Sequence, residues 1–208
     1  MQSVQYKLTE FFIIFFVLPV SFVFNYPFMI KATLAISGFA YVVYVLVKVE
    51  GNKFKMAPNL RWKPFWKHVF IKLMVIAVLT IIYMWFTAKD DLFHILYREP
   101  KLWVVILFLY ATFSVYPQEL IYRTLYFQRY ETLFKSRSLF IFVNAMVFSL
   151  AHLFYKNPLV SLITFLGGIL FALTYDKTKS TLMVSIEHTI YGCWLFTVGM
   201  GHMLGFPG

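Results

Sequence analysis

The sequence predicts an all-α polytopic transmembrane bundle of about seven or eight helices, folded as one transmembrane domain over residues 1–208. Three observations lead there. Hydrophobic residues make up 61% of the chain and charged residues only 13%, where a soluble domain carries about 25% charged residues. The mean hydropathy is +0.72. Apolar runs recur along the chain at lengths suited to crossing a bilayer, which takes about 20 residues per helix. The polar residues gather in short breaks between those runs, so no hydrophilic block is left for a second, soluble domain. The net charge of +10 suits loops facing anionic lipid headgroups. No nucleic-acid motif accompanies it, which excludes nucleic acid as a partner. The single cysteine, Cys193, excludes an intrachain disulfide.

The elements follow in order. A first span covers about Leu8 to Phe24, with Pro19 expected to kink it. It follows Lys7 without a small-residue cleavage site after it, so it reads as a retained helix. Asn25-Tyr26-Pro27 is a turn, and a second span covers Phe28 to Val49, with Lys31 near one end. Glu50 to His68 is the longest polar stretch. It sets Lys53, Lys55, Arg61, Lys63 and Lys67 among Trp62, Phe65 and Trp66, a composition that lies at headgroup level with rings dipped and charges out. A third span covers Val69 to Ala88, and His94 falls in the connection after it. A fourth covers Leu102 to Tyr116. Pro117 is then expected to interrupt the helix or to start a new one. The next helix, from Gln118 to about Phe134, is less apolar. Spans six, seven and eight cover Leu139 to Tyr155, Leu159 to Tyr175 and Leu182 to about Leu204.

Loop charge does not orient this bundle. If the helix after Pro117 crosses, Lys and Arg divide eight against eight between the two sides, with Arg129 counted among the loop charges. Gly167 and Gly168 suit close helix approach.

The functional signal is polar groups at membrane depth, which are costly there and mark functional sites. Most acids fall at a loop or a helix end. Glu119 and Glu187 do not. Glu119 and Arg123 stand at i and i+4, within ion-pair reach on one helix face. Asn144, Phe148 and His152 share a face by the same step. His188 follows Glu187 directly, so the two diverge by about 100° and need not face the same site. His202 is expected at the interface. The simplest expectation is that Glu119, Glu187, His152 and His188 converge. Such a set suits three chemistries. A carboxylate and a histidine activate water while a second donor holds the oxyanion. Glu119, His152 and His188 could instead hold a divalent metal such as zinc, although His-Glu-x-x-His is absent. A Glu–His proton path would serve a small transporter.

In order and spacing, Gln118-Glu119-x-x-x-Arg123, Phe148-x-x-x-His152 and a histidine 36 residues later at His188 resemble the CAAX-protease and bacteriocin-processing family of intramembrane endopeptidases. That family carries a Glu-Glu-x-x-x-Arg helix, a Phe-x-x-x-His helix and a His-x-x-x-Asn helix. The resemblance covers about residues 116–196 and includes the run from Gly167 to Tyr175. It implies that His152 works on the attacking water, that His188 donates to the oxyanion, and that Glu119 with Arg123 forms the supporting ion pair. Two positions depart from the pattern. The first glutamate of the family, which activates water, falls at Gln118, and an amide is no general base. The asparagine falls at Gly192, which has no side chain. The base could then be Glu119, or Glu187 beside the last histidine.

The function expected is an intramembrane endopeptidase, hydrolysing a membrane-associated protein or peptide in contact with the bilayer through water activated by Glu and His. The candidate catalytic residues are Glu119, Arg123, His152, Glu187 and His188. No cofactor is expected, with a divalent metal such as zinc as the alternative. The resemblance implies an integral protein of the cytoplasmic membrane of a bacterium. A non-catalytic scaffold or bacteriocin-immunity protein of the same fold is the second reading, and a proton-coupled transporter the third.

Overall fold

The computed structural model describes residues 3–54 and 60–205, and every regular element among them is helical. Lys55 of the basic stretch lies outside the described residues. Eight helices follow in order: α1 (Val4–Ser21), α2 (Phe28–Val49), α3 (Trp62–Thr87), α4 (His94–Arg98), α5 (Pro100–Leu133), α6 (Arg137–Tyr155), α7 (Pro158–Thr178) and α8 (Thr181–Thr197). Of these, α1, α2, α3, α5, α6 and α7 are long and apolar enough to cross a membrane. Helices are expected here because a bilayer offers backbone groups no water, so each must be satisfied within its own segment.

The helix ends follow local chemistry. Ser3 and Ser136 accept backbone N–H bonds from Tyr6 and Leu139, and Asn157 accepts from Leu159 and Val160 ahead of Pro158 at the first helical position of α7. These are ordinary N-caps with proline where its missing N–H costs nothing. Lys31 turns back to donate to the Phe22 carbonyl at 2.9 Å.

Three expectations are corrected. Pro117 neither breaks nor starts a helix: α5 runs on from Pro100 to Leu133. A π-helical segment, Tyr110–Val115, precedes the proline, and its wider turn accommodates a residue that cannot donate to the preceding carbonyls. The same pairing occurs in α1, where the π segment Ile13–Val17 precedes Pro19. The last span stops at Thr197, short of Leu204. Gly199 adopts a left-handed conformation (φ 105°) and turns the chain into the 3-10 segment Met200–Leu204, and a Cβ on Gly199 would collide with the Asp91 carbonyl. His94, expected in a loop, opens the short helix α4.

The chain divides into two units, Met1–Met56 with Pro117–Thr181 and Ala57–Tyr116 with Leu182–Gly208. The first contains α1, α2, the second half of α5, α6 and α7. Its centre is aromatic: Phe15 meets Tyr122, Tyr126 and Tyr130 edge to face, and Tyr126 lies 4.6 Å from Phe140 between ring centroids. Helices α6 and α7 approach closely at Gly168, where an added Cβ would lie 2.9 Å from the Ala145 Cα. Gly167, by contrast, has only the ring of Phe171 beside it.

The second unit contains α3, α4, the first half of α5 and α8. Ile95, Ile106 and Phe196 form its core, with Trp103, Tyr110 and Leu204 packed around them. Two indole N–H groups tie it together. Trp103 donates to Thr197 at 3.0 Å and Trp194 to Thr80 at 2.9 Å.

Large apolar side chains such as Phe70, Val78, Leu79 and Phe86 of α3 are exposed, while Arg123 and Arg129 are the largest fully buried side chains. That distribution is the reverse of a soluble protein and is what lipid selects.

Candidate active site

In the first unit the site is built around Arg123. The π segment Leu120–Leu125 of α5 carries it, and such segments recur at functional sites. The guanidinium donates to Asn144 Oδ1 at 2.7 Å, to the Tyr122 carbonyl at 3.1 Å and to the Gly168 carbonyl at 3.4 Å. Its central carbon Cζ lies 4.8 Å from the centroid of the Phe148 ring and 5.8 Å from that of Phe171. One planar cation therefore holds α5 to α6 and α7, in the fork-like way that lysine does not reproduce. Glu119, wholly buried like Arg123, stands with a carboxylate oxygen 3.4 Å from the guanidinium Nε. The expected i,i+4 pair is formed. Asn144 also donates to the Tyr122 carbonyl at 2.6 Å, which completes the bracket.

His152 lies past the last α-helical residue of α6, Leu150, at the start of the 3-10 turn Leu153–Tyr155. Its ring packs on Phe148 at 4.8 Å between centroids. Nδ1 is 2.8 Å from the Phe148 carbonyl. A carbonyl only accepts, so Nδ1 carries a proton, and in the neutral form of the ring the lone pair is then on Nε2. Phe148 thus touches both the arginine and the histidine of the two motifs.

In the second unit, α8 presents Glu187 and His188 in different directions. Glu187 faces α3, where Lys72 donates to its Oε1 at 2.7 Å. Tyr191 donates to the same oxygen at 3.0 Å and lies 3.3 Å from the Val69 carbonyl. His188, also buried, meets the ring of Tyr110 edge-on at 6.0 Å. Glu119, Arg123 and His152 thus belong to the first unit, Glu187 and His188 to the second. Within either unit, no three of the described His, Cys, Asp and Glu residues are grouped to hold a metal ion.

Sequence reasoning missed two partners. Lys72 is a lone cation inside an expected apolar span, and that anomaly was itself a signal for the opposed Glu187. Tyr110 gave no signal. The assignment of the other acids to loops and helix ends fails at Glu10. This residue of α1 is buried and accepts from both Arg129 and Tyr130, the latter at 2.8 Å. Arg129, counted above as a loop charge, is buried between Glu10 and Glu50, with Glu50 at 2.7 Å. It therefore cannot contribute to orientation as a flanking loop charge does.

A family model described as type II CAAX prenyl endopeptidase Rce1-like matches residues 100–194. Over that segment the chain is similar to the CAAX-protease family. The Rce1-like segment contains Tyr110, Gln118, Glu119, Arg123, His152, Glu187, His188 and Gly192, whereas Glu10 and Lys72 precede it. No curated protein and no solved structure matches the chain. With six helices able to span a bilayer and a segment similar to a family of membrane proteases, the chain is an integral membrane protein. The substrates of that family are peptides or proteins in a lipid bilayer.

Proposed function

We propose that the chain is an intramembrane endopeptidase of the CAAX-protease type, acting in a bacterial cytoplasmic membrane on a membrane-associated protein or peptide. The observation that carries this reading is the bracket of Glu119, Arg123 and Asn144, joined through Phe148 to a histidine with a basic Nε2, within the segment that the Rce1-like model matches. A guanidinium anchored on Asn144 and two backbone carbonyls gives the Glu119 carboxylate a fixed neighbour, the preorganisation that a general base uses.

The roles follow from motif position. Gln118 cannot take a proton, so Glu119 takes it from water, and the resulting hydroxide attacks the scissile carbonyl carbon. His188 donates to the oxygen that becomes negative, the basic Nε2 of His152 accepts from the attacking water and orients it, and the intermediate collapses as Glu119 returns the proton it took to the departing amine. Glu187 is a brace in this scheme, because Lys72 and Tyr191 already claim its Oε1. No step is routed through a metal or a covalent enzyme intermediate.

The test compares protein termini in membranes from cells carrying the native chain and the His152→Ala variant at matched expression. Termini present with the native chain and lost with the variant are expected. Identical termini, with both proteins folded in the membrane, would overturn the reading. They would leave the non-catalytic scaffold, which the amide at Gln118 favours.

A further inference from the structure

Gly192 stands one helical turn after His188, on the same face of α8. Its missing side chain does not leave a void. A Cβ built on Gly192 would overlap the hydroxyl oxygen of Tyr110 and then the adjacent ring carbons Cζ and Cε1. The hydroxyl therefore occupies the space that the first atoms of any side chain at position 192 would fill. The same ring meets His188 edge to face at 6.0 Å and Phe196 at 4.8 Å, so it is held on both sides. Glycine at 192 and tyrosine at 110 are sterically complementary: with the ring in this position, a side chain at 192 has no room.

Resting on the endopeptidase reading, we infer that the Tyr110 hydroxyl is a catalytic hydrogen-bond donor, working beside His188 on the carbonyl oxygen of the scissile bond. A phenol keeps its proton at neutral pH and has one to donate. Tyrosine hydroxyls are among the side chains that stabilise developing oxyanions. The hydroxyl reaches the α8 face from α5 rather than from α8 itself. Tyr110 opens the π segment Tyr110–Val115, and a π turn redirects the side chains at its start relative to a regular α-helix. Glycine at 192 is then a requirement of the donor arriving from another helix.

The experiment uses the membrane proteome of the expressing cells as substrate and follows the rate at which native-dependent termini appear. It compares the native chain, Tyr110→Phe, Tyr110→Ala, the double variant Tyr110→Ala/Gly192→Asn and His152→Ala. Tyr110→Phe keeps the ring and removes only the oxygen. It is expected to slow terminus formation about a hundredfold, in the range for loss of one oxyanion donor, with its melting temperature in detergent unchanged. The double variant frees the volume and returns a donor to α8. It is expected to cleave at least tenfold faster than Tyr110→Ala. If Tyr110→Phe forms termini at the native rate while His152→Ala forms none, the inference is overturned and the endopeptidase reading stands. If Tyr110→Phe is slow but also melts early, the double variant decides: recovery supports the donor role, and no recovery overturns it. If the native chain forms no termini beyond those of His152→Ala, the endopeptidase reading falls and this inference falls with it.

Discussion

Lys72 and Glu187 meet through one carboxylate oxygen, and the acid is wholly buried while the lysine is 28% exposed. Removing the lysine alone leaves an uncompensated buried charge. Lys72→Met is expected to destabilise the protein by about 3 kcal/mol, measured as loss of thermal stability in detergent micelles. The double variant Lys72→Met/Glu187→Leu is expected to recover most of that loss, because a buried pair is replaced by packing rather than broken. At Arg123 the charge is less important than the shape. Arg123→Lys preserves the cation but loses the fork to Asn144 and the carbonyls of Tyr122 and Gly168. It is expected to cost about 2 kcal/mol and to lower cleavage as Glu119 loses its fixed neighbour. Residue spacing made the Glu119–Arg123 pair legible, because i,i+4 geometry is local. Glu10 with Arg129, Lys72 with Glu187 and Tyr110 with Gly192 were not legible, because each joins positions far apart in the chain. Sequence shows that a charge is out of place before it shows what answers it.

At the scale of elements, hydropathy located the spans, and turn chemistry such as Asn157-Pro158 located their starts. It failed where backbone geometry departs from the α-helix. Pro117 carries the ordinary signature of a break, yet the π segment before it lets α5 continue. No side-chain pattern announces a π turn, so the continuity of α5 could be seen only in the structure. Packing between α6 and α7 gives a sharper test. Gly168 touches the Ala145 backbone, whereas a Cβ at Gly167 would meet only the Phe171 ring at 3.2 Å. Gly168→Leu is expected to destabilise by about 1–3 kcal/mol through overpacking. Gly167→Ala is expected to stay within about 1 kcal/mol of the native chain, since the ring can yield and alanine favours the helix. Thermal melts of the two variants in the same detergent check both expectations.

At the scale of the whole molecule, each unit is made of chain segments that are not neighbours in sequence. The cluster of Glu10, Arg129, Glu50 and Tyr130 shows what that arrangement demands of the first unit. Glu10→Leu is expected to lower the melting temperature more than Glu10→Leu/Arg129→Met, for the same reason as at Lys72. The partners Glu10 and Arg129 are 119 residues apart. A ribosome adding roughly 5–20 residues per second takes on the order of ten seconds to cover that distance. During that interval α1 is a membrane-bound helix carrying a carboxyl group whose guanidinium has not yet been made. The ion pair that buries this carboxyl group in the finished fold therefore closes only when the second half of α5 arrives.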